Sequence, residues 1–175
     1  MLTIGSTPAA VTFEQPLAML RACHGKILQQ CDTLEKLAVH LRQYGNDRQA
    51  QQAARGILRY FDTAGQFHHL DEENDLFPAM QVTEPAGLAE LLRRLLHEHA
   101  GMLAAWQAVQ TQLQSLVQEE PLLLSDTVVA DFVSRYRAHV ALENAELLPW
   151  AATLLSDEQQ AKIGRAMAAR RGVVL

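Results

Sequence analysis

Apolar residues recur at alternating intervals of three and four along four stretches of the chain, the spacing that stacks side chains on one face of an α-helix. Leu17, Leu20, His24, Ile27, Cys31, Leu34, Ala38 and Leu41 form the first line, and Leu58, Phe61, Gly65, His68, Glu72 and Leu76 the second. Leu88, Leu92, Leu95, His99, Met102, Trp106, Val109 and Leu113 form the third, and Phe132, Tyr136, His139, Glu143, Leu147 and Trp150 the fourth. Thr12-Phe13-Glu14-Gln15 ahead of Pro16 predicts a capping box that opens helix 1, which runs to about Gln43. Tyr44-Gly45-Asn46-Asp47 is turn chemistry, and predicted helix 2 continues from there to Pro78, whose ring ends it. Thr83-Glu84-Pro85 opens predicted helix 3 with proline in the first turn, and that helix reaches about Gln118. A linker around Glu119-Glu120-Pro121 and Ser125-Asp126 leads into helix 4, which ends near Pro149. A second capping box, Ser156-Asp157-Glu158-Gln159, starts a short helix 5 that ends before Gly172. Short loops between long amphipathic helices favour antiparallel neighbours. The fold class expected is all-α: an up-and-down antiparallel four-helix bundle over residues 14–152, a lead-in at 1–13, and a short additional C-terminal helix and tail at 153–175.

Every one of these apolar faces is interrupted by one histidine: His24, His68, His99 and His139. Two of them are followed in phase, four residues on, by Glu72 and Glu143. The other three histidines share faces with polar residues, His40 with Lys36 and Gln43, His69 with Gln66 and Glu73, and His97 with Glu90 and Arg94, which predicts wet surroundings for each. Isolated ionised carboxylates in a core cost many kcal/mol or take up protons. A cation between Glu72 and Glu143 removes that cost. The run from His68 to Pro78 also echoes the run from His139 to Pro149 in its first, fifth, ninth and last positions. Aligning the two prolines selects His68 over His69 as the counterpart of His139, in agreement with the stripe.

Composition narrows the class. A chain of 175 residues, 49% hydrophobic and dominated by helix formers, buries a core without disulfides. A net charge of -5 with scattered Lys and Arg gives no footprint for nucleic acid. The basic stretch Arg165 to Arg171 reads as a last helical turn whose cations suit the helix dipole. No apolar run is long enough for a membrane span, and Met1 to Ala10 lacks the pattern of a signal peptide, so the expected location is cytoplasmic. Cys23 and Cys31 are separated by about 12 Å along one helix, too far for a disulfide, and are expected as reduced thiols.

Histidine and glutamate four apart lie about 40° around a helix and about 6 Å along it, so both reach one cluster on a bundle axis. Four imidazoles with two carboxylates are too many donors for one tetrahedral zinc and suit two ions sharing bridges. Imidazole with carboxylate favours iron, manganese or zinc over copper(I). Ferritin-like sites use four glutamates and two histidines, the reverse of the ratio here.

On these residues the chain resembles the hemerythrin family, specifically its bacterial HHE cation-binding branch. The resemblance is carried by His24, the run His68-x-x-x-Glu72-Glu73-x-x-Leu76-Phe77-Pro78, the pair Glu98-His99, and the run His139-x-x-x-Glu143-x-x-x-Leu147-Leu148-Pro149. It implies a four-helix bundle holding two iron ions as an oxo- or hydroxo-bridged non-haem centre, with zinc or manganese as other occupants. Under it His24, His68, His99 and His139 are terminal ligands, Glu72 and Glu143 bridge, and Glu73 and Glu146 are supplementary or supporting groups. Oxygen-carrying members have a further histidine one turn before the helix 3 ligand, where this chain has Leu95. That departure resembles the four-histidine branch, which includes iron-sulfur-cluster repair proteins and iron or oxygen sensors, and implies an open position for O2, NO or peroxide. The resulting expectation is a di-iron protein that binds, senses or reductively handles such ligands. The alternatives are an iron-donor or cluster-repair protein, although that branch often carries a cysteine-containing N-terminal domain not evident here, and a bundle stapled by a structural cation.

Overall fold

The computed structural model describes residues 11–81, 85, 87–120 and 123–174, so most of the lead-in, and Thr83 and Glu84 of the expected helix 3 start, lie outside the described residues. The elements are α1 (Pro16–Tyr44), α2 (Arg48–Phe61), α3 (Ala64–Asp71), α4 (Phe77–Gln81), α5 (Leu88–Val117), α6 (Asp126–Leu142), α7 (Leu148–Leu154) and α8 (Asp157–Arg170), with π turns at Glu72–Leu76 and Glu143–Leu147. Helix α1 packs against α2 and α6, and α5 packs against the same two, which closes the four-helix bundle expected from the stripes.

Several ends differ in detail. Pro16 sits in the first turn of α1, so residues 12–15 form a turn in which the Gln15 N–H donates to the Thr12 carbonyl at 3.0 Å, and the capping box expected at Thr12 does not form. Helix α5 starts at Leu88, after Gly87 with φ 92°, and the Pro85 carbonyl accepts from the Leu88 N–H at 3.2 Å. Pro85 therefore precedes the helix instead of occupying its first turn. The Ser156 capping box with Gln159 is present at the start of α8.

Predicted helix 2 is not one rod. It breaks at Asp62–Thr63, where the Asp62 carboxylate accepts from Trp106 Nε1 at 3.2 Å and from Gln110 Nε2 at 2.7 Å. Those two α5 side chains hold the break in place. Further on, neither Pro78 nor Pro149 stops its helix: α4 runs through the first and α7 through the second. In a regular helix each proline ring would meet the carbonyl four residues back and leave it without a donor. Here the preceding turn is wide. The Phe77 N–H reaches the Glu72 carbonyl and the Leu148 N–H reaches the Glu143 carbonyl, five residues back in both cases. One extra residue per turn makes room for the ring, and such π turns concentrate at functional sites.

The apolar interior falls into two clusters. One contains Leu20, Leu76, Leu95 and Leu147, and the other Ile27, Phe61, Met102, Tyr136 and Val140. His24 lies between Leu20 and Ile27 on α1, and His99 between Leu95 and Met102 on α5, so a polar layer separates the two. Helix α8 packs on α1 and α3, and Gly164 allows the approach: a Cβ there would stand 1.9 Å from the Phe13 carbonyl oxygen.

Both cysteines are free. Burial pushes the Cys31 thiol up to about 12, against the nearby Arg137 charge, and raises Cys23 as well. The thiolate is the reactive form. Aromatic disulfide reagents at pH 8 are therefore expected to leave Cys31 unmodified in the folded protein and to label it only after denaturation; rapid native labelling of Cys31 would contradict its placement.

Candidate metal centre

All six residues of the apolar stripes that carry nitrogen or carboxylate donors meet in the layer between the two clusters. His24, His68 and His139 are 1% exposed, His99 4%, and Glu72 and Glu143 0%, so solvent does not neutralise them. They arrive from four helices. His24 comes from α1, His68 from α3, His99 from α5 and His139 from α6, while the two glutamates open the two π turns.

The distances have a pattern. Glu143 Oε2 lies 3.0 Å from His24 Nε2 and 3.9 Å from His68 Nε2, and its Oε1 lies 3.0 Å from His139 Nε2. Glu72 Oε1 lies 3.4 Å from His68 Nε2, and its Oε2 lies 3.4 Å from His99 Nε2. Each carboxylate thus spans the layer, Glu72 with one oxygen to His68 and the other to His99, Glu143 with one oxygen to His24 and His68 and the other to His139. Two overlapping donor sets result, His24, His68, Glu72, Glu143 and Glu72, His99, His139, Glu143, each with its ligand atoms within 4.8 Å of one another.

Outer partners fix three of the rings. His24 Nδ1 donates to Asn144 Oδ1 at 2.8 Å, His99 Nδ1 to Glu73 Oε1 at 2.7 Å, and His139 Nδ1 to Glu98 Oε2 at 2.9 Å. A neutral imidazole that donates from Nδ1 presents a lone pair at Nε2, the tautomer that binds metal. The Nε2 atoms of His99 and His139 face each other at 3.0 Å. That separation is short enough for both nitrogens to bind one ion. His24 Nε2, His68 Nε2 and all four oxygens of Glu72 and Glu143 are buried without a hydrogen-bond partner. Six converging unsatisfied atoms are too many for a stable core unless a cation meets them.

Electrostatics agree with that demand. Burial, and after it the neighbouring Glu143 charge, pushes the Glu72 carboxyl well above its ordinary range. Burial also opposes ionisation of Glu143, but His139 and His24 outweigh it and hold that carboxylate well below its usual value. Burial pushes His68 down to about 3, so it stays neutral and able to donate its lone pair.

The sequence profile of the hemerythrin HHE cation-binding domain matches residues 15–151. This chain belongs to that family. A relative from Haemophilus influenzae, described as an uncharacterized protein, is 31% identical over 162 residues, 93% of each chain. The family match and the buried His/Glu layer make this a metal-binding protein. Among the described residues no helix is long and apolar enough to cross a membrane.

Other expectations need correction. His69 was expected on a wet face, yet it is half-buried, its Nε2 is buried without a partner, and its ring stacks on His99 with centroids 4.1 Å apart. Gln66 and Glu73 share its face, but His99 reaches across from α5 and covers the ring. His97 is exposed, and His40 is half-buried against Asp47 at 3.0 Å. Glu146 is exposed and makes none of these contacts, whereas Glu73 supports His99. Glu98 and Asn144 escaped the stripe argument because each neighbours a core-facing residue and turns toward an adjacent helix. The arginines closing α8 do more than suit a dipole: Arg170 and Arg171 both pair with Asp71, which is fully buried beside Glu72, and Arg170 also reaches Asp75 at 2.8 Å.

Proposed function

We propose that this layer is a non-haem di-iron centre that binds, senses or reductively handles O2, NO or peroxide in the cytoplasm. The observation that carries the reading is the disposition of the two carboxylates, Glu72 with one oxygen toward His68 and the other toward His99, and Glu143 with one oxygen toward His24 and the other toward His139. Carboxylates so placed suit two ions and are redundant for one. In this reading the four histidines are terminal ligands and the two glutamates bridge. Bound iron would supply redox electrons and an open coordination position. The protein supplies the rest: Asn144, Glu73 and Glu98 hold three rings in the metal-binding tautomer, and the flanking apolar clusters exclude water. Leu95 is fully buried among leucines, so α5 gives one imidazole where oxygen carriers give two, consistent with a position left for a small ligand.

Anaerobic loading with ferrous iron tests the proposal. About two irons per chain are expected, with near-ultraviolet and visible bands that change on admitting O2 and, separately, NO. A single zinc per chain, with spectra indifferent to both gases and unfolding on chelation, would instead mark a structural staple.

A further inference from the structure

His69 is the one inward-facing histidine left without a role. Its ligand atom lies within 4.8 Å of those of His99 and His139, so a fifth imidazole stands beside the second donor set. Coordination is the obvious role and the ring geometry argues against it. An ion bound by an imidazole lies in the ring plane, about 2.1 Å from the nitrogen. The rings of His69 and His99 are nearly parallel, 18° apart with centroids 4.1 Å distant, so their in-plane lone pairs run side by side and do not converge. Tyr136 lies parallel to His69 at 6.1 Å, which further fixes its plane.

A side-by-side nitrogen suits a different task. A small molecule bound to an ion held by His99 and His139 would find His69 within reach, with its Nε2 buried and unpartnered. The same residue lines an outside cleft of about 460 Å³ between α3 and α5, which also reaches Glu73 and His99 and is rimmed by exposed Leu70, Leu96 and Leu103. The apolar rim suits a small uncharged molecule, and His69 stands between that opening and the donor layer. We propose that His69 is the ligand-contacting donor of the centre: its Nε2–H hydrogen-bonds a diatomic molecule that enters through this cleft and binds at the ion held by His99 and His139. This rests on the di-iron reading above.

The test uses iron-loaded, reduced protein and nitric oxide as the probe. His69→Ala, His69→Phe and His69→Gln are each expected to keep the wild-type iron content, because His69 is not a ligand. Loss of one hydrogen bond to the bound molecule predicts nitric oxide release about 10-fold faster in His69→Ala. His69→Phe preserves a stacked ring without a donor and is expected to match His69→Ala, whereas His69→Gln, with an amide N–H, recovers part of the loss. The N–O stretching frequency is expected to shift in the alanine and phenylalanine variants alone. Loss of iron from all three variants would make His69 a ligand and overturn the proposal, as would wild-type release rates and stretching frequencies throughout. Wild-type protein that takes up no iron would instead overturn the reading of the centre itself, whatever the variants do.

Discussion

Glu143→Ala protein is expected to retain almost no metal, its affinity falling by more than about 100-fold, the upper end of what loss of a ligand's hydrogen-bond partner alone costs. The reason is the position of this one carboxylate. Its two oxygens lie 3.0 Å from His24 Nε2 and 3.0 Å from His139 Nε2, so it serves both donor sets at once. Removing it takes an anionic donor from each set and leaves Glu72 as the only carboxylate shared by the two sets. Glu143→Gln keeps the volume without the charge and is expected to lose metal to nearly the same extent. Glu146→Ala, one turn on and exposed, is the control and is expected to bind as wild type. Metal per chain after desalting, by plasma mass spectrometry, reads all three. A Glu143→Ala protein holding its full complement would show that the carboxylate does not bridge.

Arg170→Ala/Arg171→Ala is expected to destabilise the metal-free protein by roughly 3–5 kcal/mol, the range for stripping partners from a buried charge. Asp71 is fully buried, and its carboxylate accepts from both guanidinium groups, with Arg171 bound at 2.7 Å and 3.1 Å. The arginines are themselves only 18% and 17% exposed. Without them Asp71 must take up a proton or draw in water, and α8 loses its hold on the turn that carries Glu72. For a chain of this size that corresponds to a fall in Tm of roughly 10 °C. Arg171→Lys keeps one charge but not the two-pronged contact and is expected to fall between. Urea unfolding in the presence of chelator separates this effect from metal binding. A change below about 1 kcal/mol would mean that the network behaves as an ordinary surface pair.

Much of this centre is legible in residue spacing. The alternation of three and four, applied within each helix, selects the four imidazoles that face inward, and the register of Pro78 with Pro149 pairs His68 with His139. That works because α1, α5 and α6 are regular up to their donor residues. It fails for His69, whose face also carries exposed Gln66 and so reads as wet, because the ring that covers it, His99, belongs to another helix, and the break at Asp62–Thr63 is likewise set by Trp106 and Gln110 on that helix. No local pattern carries that information. The wide turns are also hidden: proline was read as a terminator, whereas an added residue upstream lets the helix pass it. Arg170 and Arg171 look like dipole complements until the fold brings Asp71 opposite them, about a hundred residues away.

The widened turns at Glu72–Leu76 and Glu143–Leu147 also constrain how this lineage can vary. Each behaves as a one-residue insertion absorbed within a helix, and winding the same residues regularly, with none removed, would rotate everything beyond by about 100°. Leu76 and Phe77, or Leu147 and Leu148, would then leave the interior. A relative that lacks the added residue between the acid and its proline should therefore lack the proline as well, and each of the paired copies should obey this independently, since each turn makes room for its own ring.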